Sequence, residues 1–257
     1  MTESWQEQKV SGRCLAVEAE EMVLKITEWL VKQKEEAAAQ GFVLGISGGL
    51  DSAVVAALAH KAAPGKVLGV IMPCHSLIQD IEHAGMVVDW LGIESKVVDL
   101  SDLYDMFISR LVPAGDKPHP LAAANVKPRL RMITLYYLAQ ERGYLVLGTG
   151  NRTELTVGYF TKHGDGGVDL LPIGGLVKAQ VREMARYLGV PKAIIDKAPS
   201  AGLWEGQTDE KEIGLTYAEM DRYILTGEGT DFVRKRVEEM RRASQHKRRT
   251  PPIPHLG

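Results

Sequence analysis

Short apolar runs alternate along this chain with longer segments of helical periodicity, and that alternation limits the architecture more than any other feature. Phe42 to Ile46, Lys66 to Met72, Lys96 to Leu100 and Tyr144 to Leu147 read as strands. Helices are expected over Leu15 to Ala39, with Val23, Ile26 and Leu30 in phase and Gly41 as a stop, and over the alanine-rich Asp51 to Ala63. Further helices fit Gln79 to Leu91 before Gly92, Ser101 to Arg110 with Ser101 as cap, and Asn125 to Arg142 with Pro128 in the first turn. Val177 to Leu188 before Gly189, Thr216 to Leu225 and Phe232 to Ser244 complete the set. Strands separated by helices of this length predict an α/β fold, an open parallel sheet with helices on both faces. Such sheets hold ligands beyond the carboxyl ends of their strands, so the residues after Ile46, Met72 and Leu147 are the ones to search.

The 257 residues suit one domain, and 45% hydrophobic with 25% charged residues is ordinary globular composition. Lys and Arg number 31 against 33 Asp and Glu, a formal charge of −2, so the chain lacks the overall basic footprint of a nucleic-acid binder. Cys14 and Cys74 are too few for a disulfide framework, and no zinc-type spacing occurs. The first residues lack a signal peptide's basic flank and apolar stretch, and no apolar run is long enough to span a bilayer; the expected location is the cytoplasm.

Gly45-Ile46-Ser47-Gly48-Gly49-Leu50-Asp51-Ser52 sits between an expected strand and helix. Glycines let backbone amides close around an anion, and the helix points its positive end at the same place. The segment is neither a Walker A loop nor a dinucleotide fingerprint. An acid inside a phosphate cradle makes sense if Asp51 holds a bridging Mg²⁺. The bland alternative is a glycine turn capped by Asp51.

After the last strand comes Gly148-Thr149-Gly150-Asn151-Arg152-Thr153-Glu154. Glu154 can supply a second carboxylate for Mg²⁺; taken alone, it reads equally as a helix-start glutamate. The glycine-rich stretch from Gly158 to Ile173 carries Lys162, Asp165 and Asp169, and reads as a substrate loop or a plain surface loop. The polar stretches 77–82 and 198–212 are candidate lids.

Ser47 to Ser52 resembles the signature of the ATP pyrophosphatases with a PP-loop, which split ATP into AMP and pyrophosphate while adenylating a substrate oxygen. The later segments choose within that class. Gly158 to Ile173, Ala198 to Glu210 and the closing His246-Lys247-Arg248 are similar to the matching stretches of ammonia-dependent NAD synthetases, and the likeness runs from about residue 20 to the C-terminus. The resemblance implies an adenine nucleotide alpha-hydrolase-like fold with Rossmann-like layering. It also implies the reaction: the nicotinate carboxylate of deamido-NAD attacks the α-phosphorus of ATP, and ammonia then displaces AMP from the adenylate.

Site residues follow from the same resemblance. Gly45, Ile46, Ser47, Gly48, Gly49, Leu50, Asp51 and Ser52 would wrap ATP, with Thr149, Lys178 and Ser200 also touching it. Asp51 and Glu154 would bind Mg²⁺. Arg129, in Asn-Val-Lys-Pro-Arg-Leu-Arg, would meet deamido-NAD together with Lys162, Asp169, His246 and Lys247. Asp165 would orient or deprotonate ammonium, or only shape its loop. By the bland readings, Lys178 is a solvated helix lysine and the basic tail a solvated terminus. The resemblance further implies a homodimer with the deamido-NAD site across the interface, and helix 131–142, with Tyr136 and Tyr137, offers aromatic surface. Residue 42 already lies in the first strand, which leaves no room for a glutaminase domain; free ammonia is the expected nitrogen source, with no glutaminase subunit evident. Leu50 stands where many relatives carry Gln, Pro128 where Ala is common, Ser200 for Thr and Gly202 for Asp. Two rivals remain: a tRNA-modifying PP-loop enzyme, disfavoured by the charge and the isolated cysteines, and a non-catalytic nucleotide-binding module, disfavoured by Glu154 and the Lys162–Asp169 loop.

Overall fold

Among the described residues, β1 (Gly41–Gly45), β2 (Val67–Ile71), β3 (Glu94–Val97) and β4 (Tyr144–Leu147) form one parallel sheet in the order β3-β2-β1-β4. The structure is a computed structural model that describes residues 5–199 and 208–254, with side chains from residue 18 onward. Side chains alternate across the sheet, as the pleat requires. Phe42, Leu44, Ile71 and Leu147 face one layer, made by α1 (Trp5–Glu36), α2 (Leu50–Ala62), α3 (Ile78–Leu91), α8 (Lys178–Leu188) and α9 (Lys192–Ile195). Val43, Leu68, Val70 and Val146 face the other, with Leu135 and Leu138 of α6 (Val126–Arg142) and Tyr104 of α4 (Ser101–Leu111). Both faces are covered, which is why the central strands read as unbroken apolar runs. Fully burying Phe42, Leu44 or Leu58 contributes about 1.5–3 kcal/mol each.

A third cluster lies past the sheet. α7 (Arg152–Val157), α10 (Asp209–Ile213), α11 (Tyr217–Thr226) and α12 (Asp231–Ala243) pack through Val157, Ile213, Met220, Val233 and Val237. Gly158 ends α7 at φ 72°, and any Cβ there would collide with the Ser244 side chain, so the end of α12 rests directly on the end of α7.

Several boundaries differ from expectation for identifiable reasons. β3 lies at 94–97 rather than 96–100, with all four residues exposed; it is the sheet edge, guarded by the Arg142–Glu94 pair at 2.6 and 2.7 Å, so its pairing leaves no apolar signal. Ser101 is not the cap of α4: Asp99 accepts from the Ser101 amide at 2.8 Å, while the Ser101 hydroxyl accepts from His75 N at 3.1 Å. Gly41 does not stop α1 but opens β1; the stop is a turn at Ala38, φ 51°. Residues 78–82 belong to α3, so that stretch is no loop, and most of the 198–212 stretch lies outside the described residues. Among the described residues no helix is long and apolar enough to cross a membrane.

After β3 the chain returns to the far side of β1 to form β4. The order therefore reverses between β1 and β4, and the crevice beyond their carboxyl ends is where such a sheet binds ligands.

Candidate active site

The loop from Gly45 to Ser52 leaves β1 at that crevice and turns into α2. Gly48 takes φ 71°, and a Cβ on it would lie 2.5 Å from Asp80 O and 2.8 Å from Ala84 N, so the loop backbone is pressed onto the first turn of α3. The two serines brace it from within. Ser52 Oγ donates to Gly49 O at 3.0 Å and accepts from Ser47 N at 3.3 Å, and Gly49 N donates to Ser47 Oγ at 3.3 Å. Among the described residues no side chain caps α2, which leaves its first-turn amides able to receive an anion. Lys197, unforeseen from the sequence, donates to Gly48 O at 3.2 Å and to Asp80 at 2.6 Å, clamping the loop from outside.

Asp51 and Glu154, 103 positions apart, meet around one ammonium. Lys178 Nζ pairs with Asp51 Oδ2 and stands 3.5 Å from Glu154 Oε1, with its side chain only 6% exposed. Each acid is aimed by a short element. Asp51 is in the first turn of α2 and receives Asn151 Nδ2 at 3.5 Å. Glu154 closes a capping box with Asn151 at the start of α7: its N–H donates to Asn151 Oδ1 at 3.0 Å, and Asn151 N donates to Glu154 Oε2 at 3.2 Å. The helix-start reading of Glu154 holds, and the same capping box sets its carboxylate beside Lys178. Lys178 opens α8; Asp221 of α11 accepts from Ala179 N at 2.8 Å and from Thr153 Oγ1 at 2.5 Å, fixing that helix start.

Tyr217 floors the cluster. Its hydroxyl lies 2.9 Å from Asp209 and 3.3 Å from Glu154 Oε1, and its ring centroid is 5.0 Å from the Lys178 ammonium. Burial and the neighbouring carboxylates push the Tyr217 hydroxyl up, so it stays a donor. Burial also pushes Glu154 up to about 7, with Lys178 opposing and Asp51 reinforcing the shift. Burial works against the Lys178 charge too, yet Asp51 and Glu154 hold it above the ordinary lysine range. Glu154 therefore takes up a proton below about pH 7, and a metal held by Asp51 and Glu154 would have to displace that proton. We predict that the apparent Mg²⁺ requirement rises up to about tenfold per pH unit below that point and is flat above it. Mg²⁺ titrations of turnover near pH 6 and pH 8 test this; equal requirements at the two would show Glu154 ionised throughout.

The glycine-rich loop from Gly158 to Ile173 carries two of the residues expected at deamido-NAD, Lys162 and Asp169. Arg129, exposed on α6, donates to Asn125 O and Lys162 O at 3.3 Å each, which joins two of the expected deamido-NAD residues. Asp165 accepts from Thr161 N at 2.9 Å and closes a turn. Asp169 accepts from Tyr136 OH at 2.9 Å and from Val146 N at 2.8 Å, tying the loop to β4. Lys247 donates to Gly158 O at 2.8 Å and Phe160 O at 2.7 Å, so the tail clasps the loop, with His246 exposed beside it. Thr149 is on the β4–α7 connection at the crevice, and Ser200 lies outside the described residues.

Among the described residues no group of three or more His, Cys, Asp or Glu could cage a metal ion by itself. Two carboxylates beside a phosphate loop fit Mg²⁺, which takes one or two protein oxygens and completes its shell with phosphates and water. Asp51 and Glu154 are the residues that would hold it.

Residues 22–251 match the NAD synthase family. The chain is 56% identical over 243 residues to the NH(3)-dependent NAD(+) synthetase of Carboxydothermus hydrogenoformans, covering 94% of this chain and all of that protein. In fold it resembles the NMN synthetase of Francisella tularensis, with TM-score 0.88, 39% identity and coverage of 93% of this chain and 99% of the other. It likewise resembles the NH3-dependent NAD synthetase of Campylobacter jejuni, with TM-score 0.76, 26% identity and coverage of 92% and 99%. With its phosphate loop and paired acids at the switch point of a parallel sheet, the chain belongs to the NAD synthase family.

Proposed function

We propose that this chain is an ammonia-dependent NAD synthetase acting as a single synthetase domain. It amidates deamido-NAD at the expense of ATP, releasing AMP and pyrophosphate, in the last step of NAD formation. The observation that carries this reading is the Asp51–Lys178–Glu154 cluster set against the phosphate loop.

The chemistry needs negative charge offset on the triphosphate and on the attacking carboxylate, so catalysis is largely positioning and electrostatics. The amides of Gly48, Gly49 and the first turn of α2 receive the phosphates. Asp51 and Glu154 would hold Mg²⁺, which when bound would offset the negative charge of the phosphates. Lys178, set between the two acids, reaches a phosphate, and Thr149 and Ser200 bound the nucleotide. Arg129, Lys162, Asp169, His246 and Lys247 hold deamido-NAD, and Asp165 shapes the loop where ammonia arrives. The guanidinium of Arg129 can fork onto a phosphate or carboxylate. Arg129→Ala is therefore expected to raise the apparent KM for deamido-NAD about tenfold or more, with that for ATP nearly unchanged. An effect confined to ATP would move Arg129 to the other subsite.

A second substrate is worth testing because the Francisella protein is an NMN synthetase. The decisive assay follows AMP release with Mg-ATP, offering deamido-NAD or nicotinate mononucleotide and ammonium or glutamine. Turnover with ammonium and deamido-NAD, and none with glutamine, supports the assignment. Preference for the mononucleotide would replace the dinucleotide.

The functional unit in this reading is a cytoplasmic homodimer. α4 buries none of its residues completely and leaves Met106, Phe107 and Leu111 at 55, 45 and 63% exposure, while α6 leaves Ile133 and Tyr137 at 59 and 69%. Apolar surface of that extent calls for a cover, and a second copy supplies one. Phe107→Glu with Tyr137→Glu is expected to yield monomers in light scattering; an unchanged dimer would place the interface elsewhere.

A further inference from the structure

Every oxygen of the two acids assigned to the metal already has a protein donor. Asp51 Oδ1 receives Asn151 Nδ2, and Asp51 Oδ2 receives Lys178. Glu154 Oε2 receives the Asn151 amide, and Glu154 Oε1 is approached by Tyr217 OH at 3.3 Å and Lys178 Nζ at 3.5 Å. These donors differ in kind. Asn151 is locked in a capping box and Tyr217 in the core of the α10–α11 unit. Lys178 alone carries its donor on a flexible four-carbon stem, and only it is a cation. Its amide donates to Thr153 Oγ1 and the next amide, of Ala179, donates to Asp221, so the ammonium can swing without disturbing α8.

A dication between Asp51 and Glu154 cannot share those oxygens with an ammonium at the same distances. We propose that Lys178 is an exchangeable counter-ion: it offsets part of the acid pair's charge until metal and nucleotide arrive together, then yields both carboxylates to the metal and turns to the phosphates. The device excludes metal alone, because a lone dication gives the displaced ammonium no anion to move to inside a buried site. Nucleotide provides that anion, so binding of metal and binding of nucleotide reinforce each other. This rests on the reading of Asp51 and Glu154 as the metal ligands.

The test measures Mn²⁺ binding by the spin-resonance signal of free Mn²⁺, with the full chain, in the absence and presence of an ATP analogue carrying a methylene between the α- and β-phosphorus, after subtracting the Mn²⁺ that the analogue takes up without protein. A charge within about 4–6 Å shifts a carboxylate's affinity for a cation by tenfold or more. Wild type should bind Mn²⁺ weakly alone and at least about tenfold more tightly with the analogue. Lys178→Gln should bind Mn²⁺ alone about tenfold more tightly than wild type, with a smaller gain from the analogue. Lys178→Arg, which keeps a cation, should behave like wild type towards metal alone. Unchanged or weaker binding of metal alone by a folded Lys178→Gln overturns the proposal. So does a wild type that binds Mn²⁺ as tightly alone as with nucleotide, a result that needs no variant. Absence of Mn²⁺ binding even with the analogue overturns the metal-ligand reading and the proposal with it. Tight binding in the ternary complex without the lysine effect overturns the proposal alone.

Discussion

Asp51→Asn should leave a folded protein whose turnover is about a thousandfold lower or less, even at saturating Mg²⁺. The change is isosteric, and it falls on a side chain that is still 17% exposed. Breaking a buried ion pair usually destabilises because it strands the other charge. Here Lys178 keeps Glu154 at 3.5 Å, so the ammonium retains an anion and the fold is expected to survive. What is lost is one of the two carboxylates proposed to hold Mg²⁺ beside the phosphate loop. Asparagine can still offer an oxygen, but without charge, so the metal can reach the site with the nucleotide and be held in the wrong place. The measurement is kcat for AMP release against Mg²⁺ concentration, with nucleotide affinity and thermal unfolding as controls. A rate within tenfold of wild type at saturating Mg²⁺ would remove Asp51 from the metal site.

That prediction was open to sequence reasoning because Asp51 lies inside a local pattern, a strand, a glycine turn and a helix start. The same holds for the layers, since Phe42, Val43 and Leu44 could be continuously apolar only in a strand covered on both sides. The spacing Asn151-x-x-Glu154 is a helix-start signature and could have announced the capping box that aims Glu154. Legibility ended where contacts join distant parts of the chain. Tyr217 reaches Glu154 across 63 positions, Asp221 reaches Thr153 across 68, and Lys197 reaches Asp80 across 117. No periodicity connects such residues; only packing of α10, α11 and the 197 segment against the crevice does. Very short helices were lost for a related reason: α7, α9 and α10 span four to six residues, too few for a periodic pattern to emerge. β3 was misplaced because an exposed edge carries Glu94 and Lys96 where a central strand would be apolar. Asp169 and Lys247, expected against deamido-NAD, already have protein partners in Tyr136, β4 and the Gly158–Phe160 backbone. They set the shape of the loop as well as any contact it makes.

Gly48→Ala is expected to weaken nucleotide binding about a hundredfold, the scale on which a displacement of about 1 Å costs an active site. Two physical effects act at that position. At φ 71° an L-residue is strained by about 1–2 kcal/mol. In addition, the new Cβ would stand 2.5 Å from Asp80 O, 2.7 Å from His83 Cβ and 2.8 Å from Ala84 N. Two of those atoms are backbone of α3 and cannot rotate away, so the loop must lift from the helix. Lifting it draws Gly48 O off Lys197 and moves the amides proposed to receive the phosphates. Gly49→Ala is the control, because it shares the loop and adds the same methyl. Gly49 has φ −101°, and a Cβ there would meet only the Ser47 hydroxyl at 3.3 Å, which is movable. That variant should bind nucleotide within a few-fold of wild type and unfold at nearly the same temperature, whereas Gly48→Ala should also be destabilised by about 1–3 kcal/mol. Calorimetric titration with the methylene analogue and thermal unfolding of both variants give the comparison. Equal behaviour of the two would mean that close contact between loop and α3 does not shape the phosphate site, because strain and overlap are confined to Gly48.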